Sequence, residues 1–343
     1  MWGFSPWGFA LQDQMSSSEP RLPRDRARRK RLFQRRLLSW YKRHRRQLPW
    51  RRDKDPYRVW LSEVMLQQTR VAAVMEHYQR FLQRFPTVKH LARARESSVL
   101  AAWSGLGYYR RARMLHKTAK EVVRAGKFPQ SVDELRVLPG VGRYTAAAIA
   151  SIAFDAPVAV VDGNVERVLE RLQGKKLAGG EVWNTAEELL SRSRPGDFNQ
   201  AMMELGATVC LPRQPRCMAC PVRELCATRG EFARPEREVR QRRQVHYALD
   251  SRGGSVLLVQ RPKDASLMPG MWELPEVPAP EGIGAKPAWL TLRHAITVTD
   301  FLVKVRQGSL PEATTGRRVP GRRLAGLPLT GLARKILRAA KII

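Results

Sequence analysis

Cysteine is scarce in this chain of 343 residues: there are four, all between Cys210 and Cys226. With no thiol elsewhere to pair with, no disulfide framework is evident, which excludes the small secreted scaffolds that depend on one. Long apolar runs are missing too. No stretch approaches the ~20 apolar residues needed to span a bilayer. Met1–Ala10 is apolar and aromatic, but no positive segment precedes it and no small-residue cleavage site follows, which argues against a secretory signal. Acids are also in short supply, 31 against 62 Lys plus Arg, for a formal net charge of +31. That imbalance points to a polyanionic partner, nucleic acid foremost. The basic residues are spread along the whole chain, which fits a membrane surface poorly.

What is present is a chain with 43% apolar residues, enough for a sizeable core and two domains. Arg24–Arg36 (RDRARRKRLFQRR) carries eight basic residues and one acid, and residues 1–31 read as a basic, unstructured arm able to neutralise phosphates. Residues 32–228 are rich in helix formers at helical periodicity, broken at Pro86, Gly105–Gly107, Pro139–Gly142, Gly163 and Pro195–Gly196. Residues 229–244 are charged and nearly free of large apolar side chains, as a linker would be. In residues 245–343, strands are expected at Val245–Leu249, Ser255–Gln260, Ala295–Thr299 and Phe301–Val305, with an amphipathic basic helix in Leu327–Ile343. The pattern predicts a mainly α protein: an all-α domain followed by a small α+β domain.

Cys210, Cys217, Cys220 and Cys226 form a C-x6-C-x2-C-x5-C array. Four thiolates can enclose a structural zinc ion or an iron–sulfur cluster, and ligand count alone leaves both open. Upstream, Ser131-Val-Asp-Glu134 has the form of a capping box opening a short helix to Leu138. Leu138-Pro-Gly-Val-Gly142 must then turn sharply before an Ala-rich helix over Arg143–Phe154. Gly140 and Gly142 would let backbone approach a ligand, and the second helix aims free N–H groups and a positive dipole end at it.

Two carboxylates stand out. Asp162 follows the apolar run Val158–Val161 and opens a helix over Val165–Leu172, a position that favours an anion facing a developing cation. A plain N-cap role for Asp162 or Asn164 is the alternative. Glu63 lies in Trp60-Leu-Ser-Glu-Val-Met-Leu-Gln-Gln-Thr69, a helix apolar on most faces. Burial there would raise its pKa, as a general acid requires.

The segments LSEVMLQQTRV, GLGYYRRAR, LPGVGRYTAAA and VDGNVERVL, followed by the cysteine loop, occur in that order. Together they resemble the MutY-type adenine DNA glycosylases of the helix-hairpin-helix, iron–sulfur endonuclease III superfamily. The resemblance is close over about residues 32–228 and weaker to near the end. It implies a two-lobed glycosylase domain, a hairpin gripping DNA phosphate, and a [4Fe-4S] cluster on the four cysteines. It further implies a base excision repair enzyme that flips out and hydrolyses adenine mispaired with 8-oxoguanine or guanine. Glu63 would then be the acid and Asp162 the stabiliser of the sugar cation, with Tyr144 and Asn164 orienting them. Gln68 resembles the residue that fills the vacated space, Tyr108 the wedge beside the partner base, and Trp50 and Arg51 part of the adenine pocket. Bifunctional relatives carry a lysine where this chain has Tyr144, and tyrosine has no amine for a Schiff base, so a monofunctional enzyme is implied.

Val256–Arg261 and Leu267–Pro275 resemble the family's C-terminal MutT-like domain, without the acidic box that nucleotide hydrolysis needs. That domain reads 8-oxoguanine through an H-x-F-S-H segment, aligned here with His294-Ala-Ile-Thr-Val298. Thr297 keeps the hydroxyl, while Val298 loses an imidazole, so lesion discrimination is expected to be retained but weakened. The expected partner is double-stranded DNA containing an adenine mispair, bound by a cytoplasmic, nucleoid-associated monomer. Competing readings are an endonuclease III-like glycosylase and lyase, opposed by Tyr144, and a non-catalytic iron–sulfur DNA-binding protein, opposed by the carboxylate pair.

Overall fold

The computed structural model describes residues 23–232, 241–279, 287–296, 299–310 and 314–343. Eleven helices come first: α1 Pro23–His44, α2 Pro56–Leu66, α3 Val71–Arg84, α4 Val88–Arg93, α5 Glu96–Trp103, α6 Arg110–Ala125, α7 Val132–Arg136, α8 Arg143–Phe154, α9 Gly163–Gln173, α10 Gly179–Leu189 and α11 Pro195–Thr208. Helix α1 corrects the expected arm. Its basic stretch is helical from Pro23, because Phe33, Leu37, Trp40 and Tyr41 recur on one face and are all buried. Arg26 and Arg36 pair with Glu188 and Glu224, and Arg29 Nη2 donates to the Leu225 carbonyl at 2.6 Å.

Two apolar cores divide the helical part. One gathers α2 to α8, and the other gathers α1, α9, α10, α11 and the cysteine loop. The Ala-rich helix α8 is buried continuously from Thr145 to Ile152, which makes it the centre of the first lobe. Met203, on α11, packs against both cores. The capping box is formed as expected: Ser131 Oγ accepts from Glu134 N, and the Glu134 carboxylate accepts from Ser131 N.

The C-terminal region is α+β. Its strands are β1 Gln241–Leu249, β2 Ser251–Arg252, β3 Ser255–Gln260, β4 Trp272–Glu273, β5 Leu290–Ile296, β6 Thr299–Gln307 and β7 Arg317–Pro320, followed by α12 Gly321–Leu324 and α13 Gly331–Ala339. β6 lies between β1, to which it is parallel, and β5, to which it is antiparallel; β3 pairs antiparallel with β2, β4 and β7. A third core unites β1, β3, β6, β7 and α13. The strand expected across Ala295–Thr299 is instead the junction of β5 and β6, which pair back on each other from Ile296 and Thr299. β1 also begins at Gln241, inside the expected linker. Its first four residues are exposed, so no apolar pattern announced them. Among the described residues no helix is long and apolar enough to cross a membrane.

Candidate functional site

A cleft of about 910 Å³ runs between the two helical lobes. From the first lobe comes Glu63. Asp55 caps α2, accepting from Arg58 N at 3.0 Å, and Pro56 follows at its first turn. The helix is buried on nearly every face, so the Glu63 carboxyl, 6% exposed, has little contact with water. Tyr144, one residue into α8, donates its hydroxyl to Glu63 Oε2 at 2.5 Å. Burial pushes the Glu63 pKa up to about 7; the Asp162 charge adds to that, while the Tyr144 hydrogen bond and Arg51 oppose it. Tyr144 is itself driven well above the ordinary tyrosine range by burial, so it stays a donor. The pair is therefore a carboxyl that can hold a proton near neutrality and a hydroxyl that fixes its orientation.

Asp162 arrives from the second lobe as the N-cap of α9. Its Oδ1 accepts from Asn164 N at 3.0 Å and Val165 N at 2.8 Å, and Oδ2 accepts from Asn164 Nδ2 at 2.9 Å. Arg167 holds Asn164 in turn, donating to its Oδ1 at 2.9 Å. Gly206 must be glycine here: a Cβ would sit 2.6 Å from that of Asn164, so α11 could not come this close to the turn. The N-cap role and a place in the cleft thus coexist at Asp162.

The hairpin α7–α8 borders the same cleft through Pro139 and Gly140. Gly140 has φ +75°, and a Cβ there would meet Met114 Cβ at 2.6 Å. Gly142 has ordinary extended backbone and open space around it, so its value lies in capping α8 with no side chain over the helix N–H groups.

The geometry can be set beside known proteins. Residues 61–192 match the family model described as HhH-GPD superfamily base excision DNA repair protein. This segment is an HhH-GPD domain. Over 311 residues the chain is 42% identical to the adenine DNA glycosylase of Mus musculus, covering 71% of this chain and 60% of that one. With the adenine DNA glycosylase of Homo sapiens it shares 50% identity over 210 residues, 56% of this chain and 38% of that one. The chain therefore spans roughly two fifths to three fifths of these relatives' length. Among solved structures, a thermostable thymine-DNA glycosylase is similar with a TM-score of 0.56 and 29% identity, covering 59% of this chain and 97% of that one. A trapped endonuclease III–DNA covalent intermediate gives 0.51 and 26%, covering 58% and 96%.

In this HhH-GPD domain the rim of the cleft carries Gln68 and Tyr108, both exposed and both in left-handed backbone, φ 53° and 48°. Such backbone costs a non-glycine residue roughly 1–3 kcal/mol and persists only where neighbours impose it. Arg111 imposes much of it. Its guanidinium donates to the carbonyls of Val64, Met65 and Gln67 on one side and of Leu106 and Gly107 on the other, and it lies under the Tyr108 ring. Trp50 is buried against Tyr78, with one part of it lining the cleft.

Arg51 lies at the floor, bonded to Glu204 at 2.9 Å. Glu204 also takes Arg46 Nε and Nη2 at 2.8 Å each. Hydrogen bonds and guanidinium charge hold the buried Glu204 carboxyl below its usual range against the upward pull of burial. Sequence reasoning missed Glu204, Arg46 and Arg111. One available signal was an acid within the apolar face Ala201, Met202, Leu205 of α11, which requires a buried cation.

The four cysteines line one small cavity beside Arg171. Arg171 donates to Cys210 Sγ at 3.4 Å, and Cys226 Sγ donates to the Arg171 carbonyl at 3.2 Å. Burial, with the other thiols nearby, lifts Cys220 to about 11, so a bound cation is needed to displace its proton. Among the described residues no three His, Cys, Asp or Glu side chains are gathered tightly enough to hold one metal ion. Thr297 lies outside the described residues, as does Val298.

Proposed function

We propose that the chain is a monofunctional adenine DNA glycosylase that removes adenine mispaired with 8-oxoguanine or guanine in double-stranded DNA. The observation that carries the reading is the Tyr144–Glu63 pair facing Asp162 across the cleft, in a domain whose relatives are adenine DNA glycosylases. Breaking the bond between adenine and deoxyribose leaves electrons on the base and positive charge on the sugar. Glu63, protonated near pH 7, gives its proton to a ring nitrogen of the departing adenine. Asp162 stays beside C1′ as the counter-charge, and the Glu63 carboxylate then takes a proton from the water that adds there. Tyr144 keeps Glu63 oriented, and Asn164 does the same for Asp162. Arg51, held in place by Glu204, offers a donor to a purine edge.

To reach Glu63 the adenine must leave the stack, at a cost of a few kcal/mol. Exposed Gln68 and Tyr108 on the rim are the side chains placed to fill the gap. Gly140 and the open start of α8 suit a phosphate, a contact that positions DNA without reading its sequence. Tyr144 supplies no amine, so strand cleavage by a Schiff base is not part of this chemistry. Thr297 is proposed to contact the opposite base.

Cys210, Cys217, Cys220 and Cys226 would hold a [4Fe-4S] cluster. A single zinc ion would take all four sulfurs at one point, whereas a cluster takes one thiolate per iron; the C-x6-C-x2-C-x5-C spacing, which resembles the loop of the endonuclease III superfamily, favours the second. The cluster would brace the basic loop containing Arg213, Arg216 and Arg223. Purified protein should be yellow-brown with absorbance near roughly 400 nm, as thiolate-ligated clusters absorb. A colourless, zinc-loaded protein would refute the cluster and leave the glycosylase reading intact.

The deciding assay is single-turnover reaction on a duplex with one adenine opposite 8-oxoguanine, against an A·T duplex, scored with and without alkali. Alkali-dependent breakage only at the mispaired adenine is expected. Breakage without alkali would indicate a lyase, and none by cluster-loaded protein a binding function alone.

A further inference from the structure

The rim loop that carries Tyr108 is gripped from the far side by the C-terminal region. Ser104 caps the end of α5 and Tyr109 precedes α6, so they bracket the loop at both ends. Both hydroxyls donate to the same acceptor, the Leu329 carbonyl, at 2.8 and 2.9 Å. Ser104, Tyr109 and Leu329 are all buried, so these bonds are shielded from water, and both lone pairs of one carbonyl are used. Arg334 of α13 donates to Ser104 Oγ at 3.0 Å, and Arg113 donates to the Pro269 carbonyl. Leu329 is not a loose tail residue. Trp272 N donates to the Pro328 carbonyl, and Thr330 N donates to the Trp272 carbonyl, both at 2.9 Å. That ties Leu329 to β4 and so to the sheet of β3.

Between the two grips the chain passes through Gly105, Gly107 and Tyr108 at φ 110°, 70° and 48°. Such a loop does not hold its shape by local preference. Arg111 supports it from inside the domain, and the Leu329 carbonyl supports it from outside. A displacement of the C-terminal region would move both ends of the loop and tilt the Tyr108 ring.

We infer that Ser104 and Tyr109 are positioning residues through which the C-terminal region sets the wedge Tyr108, coupling what that region senses on the opposite strand to extrusion of the target base. The inference rests on the proposed function. It assigns the Leu329 carbonyl a role in mismatch discrimination although nothing places it against DNA.

The test uses the full chain with Tyr109→Phe, Ser104→Ala, the double variant, and each combined with Tyr108→Ala. The readout is the single-turnover rate on adenine opposite 8-oxoguanine and opposite guanine. Tyr109→Phe should slow the first by roughly threefold, the worth of one hydrogen bond. The double variant should slow it by roughly tenfold or more, within the usual range of coupling between sites. The preference for the oxidised partner should shrink in parallel. In the Tyr108→Ala background the same substitutions should cost little, because the wedge they position is gone. Additive losses, or an unchanged preference, would overturn the inference while the glycosylase reading stands. A wild type that excises no adenine would overturn both. Should the double variant fold poorly, Tyr109→Phe alone decides, since it removes one hydroxyl and no packing volume.

Discussion

Glu63→Gln should reduce adenine excision by roughly 10²- to 10⁴-fold, the range spanned by a positioned general acid, while leaving the protein folded. The size follows from what the side chain is asked to do. Glutamine can still accept the Tyr144 hydrogen bond, so geometry is kept and only the transferable proton is lost. Stability should move the other way. The Glu63 pKa is about 7 in the folded protein against an ordinary 4.5, so the fold binds this proton more tightly than the unfolded chain does. Between those values the wild type loses stability as pH rises, and above about 7 the full penalty of a buried charge is present. The glutamine variant has nothing to ionise. Its melting temperature should equal or exceed wild type at pH 8 and lose that advantage toward pH 4.5. Wild-type activity should fall as pH rises through about 7, where the acid loses its proton, and the variant's residual rate should lack that limb. A variant that excises at the wild-type rate would remove Glu63 from the chemistry.

Local signals carried the sequence reading a long way. The hairpin was legible because a capping box, a Pro-Gly turn and an Ala-rich helix each announce themselves within a few residues: α8 has the expected ends, while α7 stops at Arg136, two residues short of the expected Leu138. Glu63 was recognisable as an acid in an apolar helix, and Asp162 as an acid opening one. What no local pattern could supply was their meeting. Tyr144 lies 81 residues from Glu63, and Glu204 lies 158 from Arg46 and 153 from Arg51. Tyr144 meets Glu63 only when α8 packs on α2 within the first lobe, and Glu204 meets Arg51 only once the second lobe closes on the first, so Glu204 went unnoticed among the apolar residues of α11. α1 was misread for a related reason: charge dominated its composition, while the four apolar residues that dock it needed a second lobe to dock against. In the C-terminal region the boundary between β5 and β6 escaped notice because the sequence Ala295–Thr299 is as β-rich as the strands on either side of it.

Asp162→Asn offers the sharpest separation of chemistry from architecture. Asparagine caps a helix about as well as aspartate, so Asn164 N and Val165 N would keep their acceptor. One bond would be lost, since the new amide would face Asn164 Nδ2, which now donates to Asp162 Oδ2. That loss and the missing charge at the helix start should cost roughly 1–2 kcal/mol together, a fall of a few degrees in melting temperature. Excision should fall by roughly 10²- to 10³-fold, the scale seen when a pre-set electrostatic partner of the transition state is removed. A mere N-cap would give the small stability loss and an almost unchanged rate, so the ratio of the two effects decides its role. A second consequence tests the coupling of the carboxylates. The Asp162 charge raises the Glu63 pKa, so its removal should shift the high-pH limb of the residual activity to lower pH, modestly because burial is the larger cause. A limb that stays in place would mean that the two groups do not share a field across the cleft.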